Sequence, residues 1–441
     1  MKSIRAILII FLFTNLCFSQ TGWYQVSSGT NKSLLSVHFI NLNTGFCTGT
    51  DGVLLVTNNI GVTWLRINLG DATYSLKKIY FKDQLTGFIL GQSPINPPSP
   101  DTLHSRIYKT TDGGIHWVVD QPRINEVFLN NIEFVNSNTG YMSGGLYSAG
   151  PHKFFKTTNG GNSWVELNTN MWRAIVSQEF IDVNTGYLGI MHEIYKTSNG
   201  GENWNKIYEN PHSGFDIVSS IKFINPNTGY ACGGNMIYSY PKSRFIIKTT
   251  NAGNNWQYLL NDTLGELVNN ILIMNEGLIY GCGAALNGGI PSNSAFIIRS
   301  TNGGISWSNE AVSTQNPLYN MINSNNAGFA VGANGTIYKK DNIVSVTQIS
   351  TEVPSSINLY QNYPNPFNPE TTIKFDISKS GFISLKVYDI SGKEVQNLFN
   401  GVKEAGSYQL KFDGANLNSG VYFYKLLTNG TTITKSMVLV K

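Results

Sequence analysis

Short runs of alternating hydrophobic and polar residues follow one another along most of the chain, and turns rich in Asn and Gly separate them. One example is Ile132-Glu133-Phe134, which is followed by an Asn-rich turn, Gly140 and a second run that begins at Tyr141. A period of two places successive side chains on opposite faces of a strand. The pattern therefore predicts an all-β protein of many short strands joined by tight turns.

A box of eight residues recurs six times, with the pattern Ser/Thr, any, Asp/Asn, any, Gly, any, any, Trp. Its copies occupy residues 57–64, 110–117, 157–164, 197–204, 249–256 and 300–307. Gly and Asn supply the backbone conformations that tight turns between strands need. The box therefore predicts the turn between the third and fourth strands of a repeating unit.

A second motif, made of an apolar residue, an Asn-rich turn, Gly and an aromatic residue, occurs seven times. Its copies end at Phe46, Phe88, Tyr141, Tyr187, Tyr230, Tyr280 and Phe329. Seven turns against six boxes leave the last unit without its fourth strand, and residues 22–26 at the start of the chain supply it. The repeat predicts a seven-bladed β-propeller, in which this closure removes the free edges between the first and last blades.

The two motifs resemble the Asp-box, or BNR, repeats of sialidases. The pairing of Asn-Thr-Gly-Tyr with Thr-Thr-Asn-Gly-Gly-x-x-Trp is more similar still to the propellers of the photosystem II assembly and stability factor family. This resemblance covers residues 22–340 and implies the propeller fold. It implies less about function, because Asp-box propellers serve as enzymes, receptors and assembly factors alike.

The residues of the box predict a structural role. Its hydroxyl and its Asp or Asn side chain can bond backbone groups of the turn, and its Trp packs apolar surface. The alternative is a metal or ligand site, which is weakened because five of the six copies carry Asn in place of Asp. The histidines show no metal-ligand spacing either, so we predict no metal and no cofactor.

A second unit, residues 359–441, follows a Ser/Thr/Val-rich linker at residues 343–358. Alternating runs separated by Gly-containing turns predict six or seven short strands in a small Ig-like β-sandwich. The unit resembles the type A C-terminal sorting domain of the type IX secretion system in the Bacteroidetes and their relatives. The resemblance rests on Tyr-Pro-Asn-Pro-Phe-Asn-Pro at 363–369, Val387-Tyr388-Asp389 before Gly392, Gly420-Val421-Tyr422 and the final Lys441.

This second resemblance implies a partner and a destination. The partner is the type IX secretion machinery, and the destination is the far side of the outer membrane. The sorting domain is then expected to be removed, and the propeller is released or attached to the surface. The alternative is that residues 359–441 stay in place as an Ig-like binding module.

The N-terminus has the features of a secretory signal peptide. Lys2 and Arg5 precede the apolar residues 6–13, and a short region ends at Ser19. We therefore predict a signal peptide at residues 1–19 and a propeller at residues 20–342. The apolar run is shorter than the roughly 20 residues that cross a bilayer, so the mature chain is predicted to contain no transmembrane span. The protein is expected to be secreted, either extracellular or at the outer-membrane surface.

Composition agrees with this organisation. Charged residues make up 13% of the chain and there are 44 glycines, which favours many strands and turns over solvated helices. The net charge is +4 and the basic residues form no run, so nucleic acid is not expected as a partner. After removal of the signal, Cys47, Cys232 and Cys282 remain. Cys232 and Cys282 fall at the same strand position of neighbouring blades, which suits small buried side chains better than a disulfide.

The candidate binding surface lies on one face of the propeller. Insertions at residues 92–106, 145–152, 234–244 and 284–295 all fall on the face opposite the boxes. Trp172, which the repeat does not explain, precedes Arg173 in a loop of this face. An aromatic residue beside Arg suits a sugar ring or a partner protein, although Trp172 could instead cover the core. The further candidates are Tyr147, His152, Tyr238, Tyr240 and Arg244.

No catalytic residue is assigned. Sialidase chemistry needs three clustered arginines, and the arginines of the propeller cannot be placed around one pocket. Another glycosidase needs only two carboxylates, and Asp71, Glu126, Asp216 and Glu266 are predicted in the loops between blades. The sequence therefore favours a non-enzymatic propeller that binds protein or glycan. A secreted glycoside hydrolase with a sialidase-like propeller is the alternative.

Overall fold

The computed structural model describes residues 22–441 with short gaps. The gaps are residues 42, 71, 95–103, 126, 146–151, 170, 172, 211–215, 236–242, 263–265, 276, 288–289, 325–326, 342–346, 351, 404, 415–416 and 429.

Seven four-stranded antiparallel sheets form a propeller, and two further sheets form a sandwich. Blade 1 holds β2–β5: Leu34–Phe39, Gly45–Gly49, Leu54–Thr57 and Leu65–Ile67. Blade 2 holds β6–β9: Ser75–Phe81, Gly87–Gln92, His104–Thr110 and Val118–Asn125. Blade 3 holds β10–β13: Leu129–Phe134, Gly140–Gly145, His152–Thr157 and Val165–Leu167. Blade 4 holds β14–β17: Ile175–Phe180, Gly186–Ile190, Glu193–Thr197 and Asn205–Glu209.

The remaining three blades repeat this arrangement. Blade 5 holds β18–β21: Asp216–Phe223, Gly229–Asn235, Arg244–Thr249 and Gln257–Asp262. Blade 6 holds β22–β25: Glu266–Ile273, Ile279–Asn287, Ile290–Ser300 and Ser308–Glu310. Blade 7 holds β26–β28 and the first strand of the chain, β1: Leu318–Ser324, Ala327–Gly332, Ile337–Lys340 and Tyr24–Val26.

The first strand closes the ring, as the sequence predicts. β1 pairs with β28 in the register Tyr24 to Lys339 and Val26 to Ile337. The Tyr24 hydroxyl also donates a 2.6 Å hydrogen bond to Asp341 Oδ2. Because this pairing joins the two ends of the repeat, blade 7 has the same four strands as the others.

Side chains of the innermost strands tie neighbouring blades together. Ser36 Oγ of blade 1 accepts the Ile79 N–H of blade 2 at 3.4 Å. Asn320 Oδ1 of blade 7 accepts the Val37 N–H of blade 1 at 3.3 Å, which continues the pattern across the closure. Apolar clusters fill the space between blades, as where Tyr141 of blade 3 stacks on Phe180 of blade 4.

The six boxes have the structural role that their residues predict. In each box the first hydroxyl donates to the Asp or Asn side chain at 2.8–3.0 Å and accepts the Gly N–H four residues later at 2.8–3.0 Å. The turn then bonds to the turn between the first two strands of its own blade, as Gly160 N does to Asn138 O at 2.8 Å. Both kinds of turn therefore lie on the same face.

Replacing a box hydroxyl should destabilise the propeller measurably. Thr197 is fully buried, and its Oγ1 accepts the N–H groups of Gly201 and Asn199. Thr197→Val leaves both donors without an acceptor, so we expect a loss of about 1–3 kcal/mol in the free energy of unfolding. Urea denaturation measures it. Thr197→Ser is the control, since Ser300 fills this place in blade 6; equal losses in both variants would contradict the box's role.

The cysteines are single and buried. Cys47, Cys232 and Cys282 are free thiols without measurable exposure. Burial raises the pKa of each thiol. The prediction of buried side chains rather than a bridge is confirmed.

The C-terminal unit is a sandwich of eight strands. One sheet has the order β29-β34-β31-β30 and the other β33-β32-β35-β36. In chain order, β29–β36 are Thr347–Ser350, Asn358–Leu359, Glu370–Ile377, Gly381–Tyr388, Glu394–Lys403, Gly406–Asp413, Gly420–Thr428 and Thr431–Leu439. The interval predicted as a linker therefore contains β29, because Thr347 pairs with Gln409 of β34. Inward-facing residues such as Phe375 and Tyr424 form the core.

Candidate functional site

Only part of the predicted binding surface lies within the described residues. Trp172, Tyr147, Tyr238 and Tyr240 fall in the gaps, so their roles stay predictions. Arg173, His152 and Arg244 are described, and the structure gives them three different surroundings.

His152 and Arg244 make contacts inside their own blades. Arg244 begins β20, is only 8% exposed, and its Nε donates to both carboxylate oxygens of Asp262 at 2.9 and 3.0 Å. His152 Nε2 is hydrogen-bonded to Thr169 Oγ1, and burial lowers the pKa of this imidazole. These contacts orient both side chains within the blades, and a ligand contact for either remains a prediction.

Arg173 is exposed and borders an open groove beside blade 4. The groove has a volume of about 610 Å³. We call it the blade-4 groove; its lining is Thr169, Met171, Arg173, Ile190, Glu193, Tyr195, Glu202, Asn203, Trp204 and Asn205. The groove therefore combines two aromatic side chains with an arginine, two carboxylates and side-chain amides.

Contacts among the lining residues fix the middle of this groove. The Tyr195 hydroxyl donates to Glu193 Oε2 at 2.9 Å, and Lys206 Nζ donates to Glu193 Oε1 at 3.1 Å. The Trp204 indole donates to Gly201 O at 3.1 Å, and its ring packs edge-on against Phe154 at 5.4 Å. The aromatic and acidic groups are thus held in place before any ligand arrives.

One cluster near the groove has the composition of a metal site. His192, Glu193 and Glu209 bring ligand-type atoms within reach of one another. The Lys206 ammonium lies between the two carboxylates, at 3.1 Å from Glu193 and 2.6 Å from Glu209. Lysine therefore supplies the positive charge that these carboxylates need, and we assign the cluster no metal.

A second candidate site lies on the propeller axis. Each innermost strand contributes one side chain from the same register position, because each pairs with the first aromatic residue of the second strand. The seven residues are His38, Tyr80, Glu133, Glu179, Lys222, Leu272 and Ile322. We call them the axial ring. Five consecutive blades supply titratable side chains and two supply apolar ones.

The sequence reasoning missed the axial ring although the repeat contains its signal. The ring residue is the variable position of the Ile-x-Phe pattern in the innermost strand, as in Ile221-Lys222-Phe223. A repeat position that is polar in some blades and apolar in others indicates that side chains of different chemistry surround the axis. The sequence analysis instead places the candidate carboxylates in the loops between blades.

Of the carboxylates predicted in the loops between blades, Asp71 and Glu126 lie outside the described residues. Asp216 begins β18 and is fully buried, where it accepts from Asn210 Nδ2 at 2.7 Å and Ser243 Oγ at 2.6 Å. Glu266 begins β22 of the next blade. Asp216 is therefore a buried carboxylate at the start of a strand and does not lie in a loop, where the sequence predicts it.

Five residues of the axial ring line a cavity of about 210 Å³: His38, Tyr80, Glu133, Lys222 and Ile322. Lys78, from the position two residues before Tyr80, also lines it, together with amide side chains and the apolar residues Met321 and Ile322. Lys222 is paired with Glu179 across two blades. Glu133 Oε1 is buried and has no hydrogen-bond partner among the described residues.

Burial and neighbouring charges shift the pKa values of the titratable side chains around the cavity. Burial, with the Glu179 carboxylate adding to it, raises the pKa of Glu133 to about 8. Burial and the nearby Lys222 ammonium lower the pKa of Lys78 to about 8. Burial also lowers the pKa of His38 to about 4. Glu133 is therefore largely protonated at neutral pH, and His38 is uncharged.

Glu133→Gln should change how stability depends on pH. Between pH 4.5 and about pH 8 the folded protein keeps a proton on Glu133 that the unfolded chain has lost. The contribution of Glu133 to the free energy of unfolding therefore falls as the pH rises through about 8. His38 makes the free energy of unfolding rise with pH, but only below about pH 6.5. From pH 6.5 to 8 the free energy of unfolding should therefore fall more steeply in the wild type than in Glu133→Gln. Parallel curves would contradict the assignment; exposed Glu202→Gln is the control.

Comparison with protein families decides what the C-terminal unit is. Residues 361–441 match the model of the secretion system C-terminal sorting domain. The chain carries a type IX sorting domain. Strands β31–β36 lie within the matched residues, and the protein is therefore secreted or held at the cell surface. Within the described part of the chain, no helix is long and apolar enough to cross a membrane.

Solved structures confirm the propeller fold. A structure of YCF48 bound to a D1 peptide is similar with a TM-score of 0.55 and 15% identity, over 74% of this chain and 96% of that one. YCF48 from Cyanidioschyzon merolae has a TM-score of 0.53 and 19% identity, over 73% and 99%. The GH74 xyloglucanase from Xanthomonas campestris has a TM-score of 0.52 and 9% identity, over 80% and 59%. No curated protein sequence matches the chain.

Proposed function

We propose that the propeller is a non-enzymatic binding domain that acts outside the cell or at its outer surface. Its ligand is a protein or a glycan, and the chemistry of the blade-4 groove favours a glycan. The observation that supports the proposal is the combination of Tyr195, Trp204 and Arg173 along one open, largely polar groove.

The groove suits a sugar chain for three reasons. Aromatic side chains offer flat apolar surface with a polar edge, which matches the faces of sugar rings. Carboxylates and amides such as Glu193 and Asn203 offer hydrogen-bonding groups for hydroxyls. A volume of about 610 Å³ falls within the roughly 300–1,000 Å³ typical of small-molecule sites, which accommodates a few sugar units.

A protein ligand is the other member of this class. One of the similar propellers, YCF48, has been solved with a D1 peptide bound. At 15% identity that likeness extends to the fold alone, so it names no ligand for this chain. A peptide ligand becomes the favoured one if no glycan binds.

One observation favours a glycoside hydrolase as the second candidate function. Glu133 is protonated at neutral pH and Glu179 is its neighbour in the axial ring, and hydrolases use one protonated and one ionised carboxyl group. Lys222 already holds Glu179, however, and the cavity of about 210 Å³ is smaller than typical sites for drug-sized ligands, a class that includes two linked sugars. These two facts favour binding over hydrolysis.

A glycan array tests the proposal. We expect the full chain to bind a defined set of glycans, and Arg173→Ala to weaken that binding about tenfold or more, since hydrogen bonds to charged groups contribute roughly 1.5–3 kcal/mol. Arg66→Ala removes an exposed arginine of blade 1 and serves as the matched control.

The array has two outcomes against the glycan proposal. Binding that Arg173→Ala and Arg66→Ala leave equally strong would place the site elsewhere on the protein. Absence of binding to every glycan would shift the proposal to a protein ligand.

A further inference from the structure

The axial cavity is lined by one acidic and one basic side chain that form no direct ion pair within the described part of the chain. Glu133 and Lys78 both line it, on neighbouring blades. Glu133 accepts hydrogen bonds from the Gln178 side chain and the Phe180 N–H, whereas its Oε1 atom is shielded from bulk solvent and lacks a hydrogen-bond partner among the described residues. Within the same part of the chain, no ion pair or hydrogen bond joins Lys78 to another side chain. Such groups are costly to bury unless something else meets them.

The other charged groups around the cavity do not meet this need. Lys222 is engaged by Glu179. The Tyr80 hydroxyl donates to Phe134 O at 3.1 Å. His38 is uncharged at neutral pH. Glu133 Oε1 and the Lys78 ammonium therefore remain available to a guest in the cavity.

The size and remaining walls of the cavity restrict that guest. About 210 Å³ is below the range of sites that hold drug-sized ligands, so the guest has few heavy atoms. Met321 and Ile322 of blade 7 give part of the lining apolar character, and Lys78 and Glu133 line the cavity from blades 2 and 3. A guest that satisfies all three features carries a cation, an anion and a short apolar group.

We propose that the axial cavity binds a compact zwitterion of the α-amino acid type, with its ammonium on Glu133, its carboxylate on Lys78 and its side chain toward Met321 and Ile322. This site is separate from the blade-4 groove and does not depend on the function proposed for it. Binding forms two charge-assisted hydrogen bonds in a partly dehydrated space, where they are stronger than in water.

The proposal predicts a dependence on both charges of the guest. An ammonium ion favours the ionised form of Glu133, and a carboxylate favours the protonated form of Lys78. A molecule that carries only one of the two charges leaves the other protein group unpaired. We therefore expect the amine or the acid alone to bind at least about tenfold more weakly than the amino acid that combines them.

Calorimetric titration of the full chain with each of the twenty common amino acids tests this inference. We expect at least one to bind with a stoichiometry of one at ligand concentrations up to about 10 mM, a practical limit for millimolar affinities. The amino acid that binds is then compared with its decarboxylated amine and its deaminated acid. No binding by any of the twenty overturns the proposal, and so does equal binding of the amine or the acid.

Two variants locate the site. Glu133→Gln replaces a largely protonated carboxyl group and Lys78→Met removes a buried ammonium group, so both should fold, which urea denaturation checks. Each should weaken binding about tenfold or more. Lys386→Met, which removes a lysine of the sorting domain, is the control. Binding that survives either substitution in the axial cavity contradicts the proposal.

Discussion

Deleting residues 361–441 should abolish the appearance of the protein outside the cell. These residues form the sorting domain, and the type IX machinery recognises its substrates through such a domain. The signal peptide predicted at residues 1–19 acts at the inner membrane only, so the shortened chain should accumulate in the periplasm. Immunodetection in separated medium, surface and periplasmic fractions of the native host measures the effect.

Two controls separate loss of sorting from loss of folding. The shortened protein recovered from the periplasm should still resist protease, because the seven blades close on themselves through β1 and β28. In the reverse test, fusing residues 342–441 to a periplasmic carrier protein should send the carrier outside. Export of the shortened chain, or retention of the carrier fusion, would contradict the sorting role.

Gly233→Ala should destabilise the propeller by about 3 kcal/mol, at the upper end of the usual cost of overpacking. Gly233 lies in β19, opposite Val218 of β18. A Cβ atom at this position would lie 1.8 Å from the carbonyl oxygen of Ile217. That oxygen belongs to the backbone of the innermost strand, so the strand itself must move. Urea denaturation with an unchanged slope measures the loss.

Blade 2 provides a matched control for this prediction. Gly91 holds the equivalent place in β7, but there the nearest atom to an added Cβ is the Tyr108 ring at 3.2 Å. A side chain can move aside more easily than the backbone of a strand. Gly91→Ala should therefore lower the free energy of unfolding clearly less than Gly233→Ala. Blade 4 already carries Ile190 at this place. Equal losses in the two variants would show that close backbone approach is not what requires glycine in blade 5.

The fold could be predicted from the sequence because the pattern of one blade recurs seven times along the chain. Six of the seven copies specify two turns, and the unmatched strand around Trp23 specifies how the ring closes. The sandwich was predicted with fewer strands than it has, because β29 is short and its pairing with β34 spans some 60 residues. Local alternation does not reveal a partner at that distance.

The candidate sites were less accessible to sequence reasoning. Arg173 is a candidate because it follows Trp172, which the repeat does not explain, but Glu193 and Trp204 of the same groove come from β16 and from the box of blade 4. The axial ring was not predicted, for the opposite reason. Glu133 and Lys222 occupy regular positions of the repeat, and the sequence analysis selected residues that depart from it.

Binding and turnover of one glycan, followed in the same sample, test the central claim most directly. The glycan with the strongest array signal is incubated with the full chain, Arg173→Ala and Glu133→Gln, and bound glycan and newly formed reducing ends are both quantified. The account predicts binding that Arg173→Ala loses and Glu133→Gln keeps, with no new reducing ends. Reducing ends that the wild type produces and Glu133→Gln does not would contradict it and identify the protein as a hydrolase.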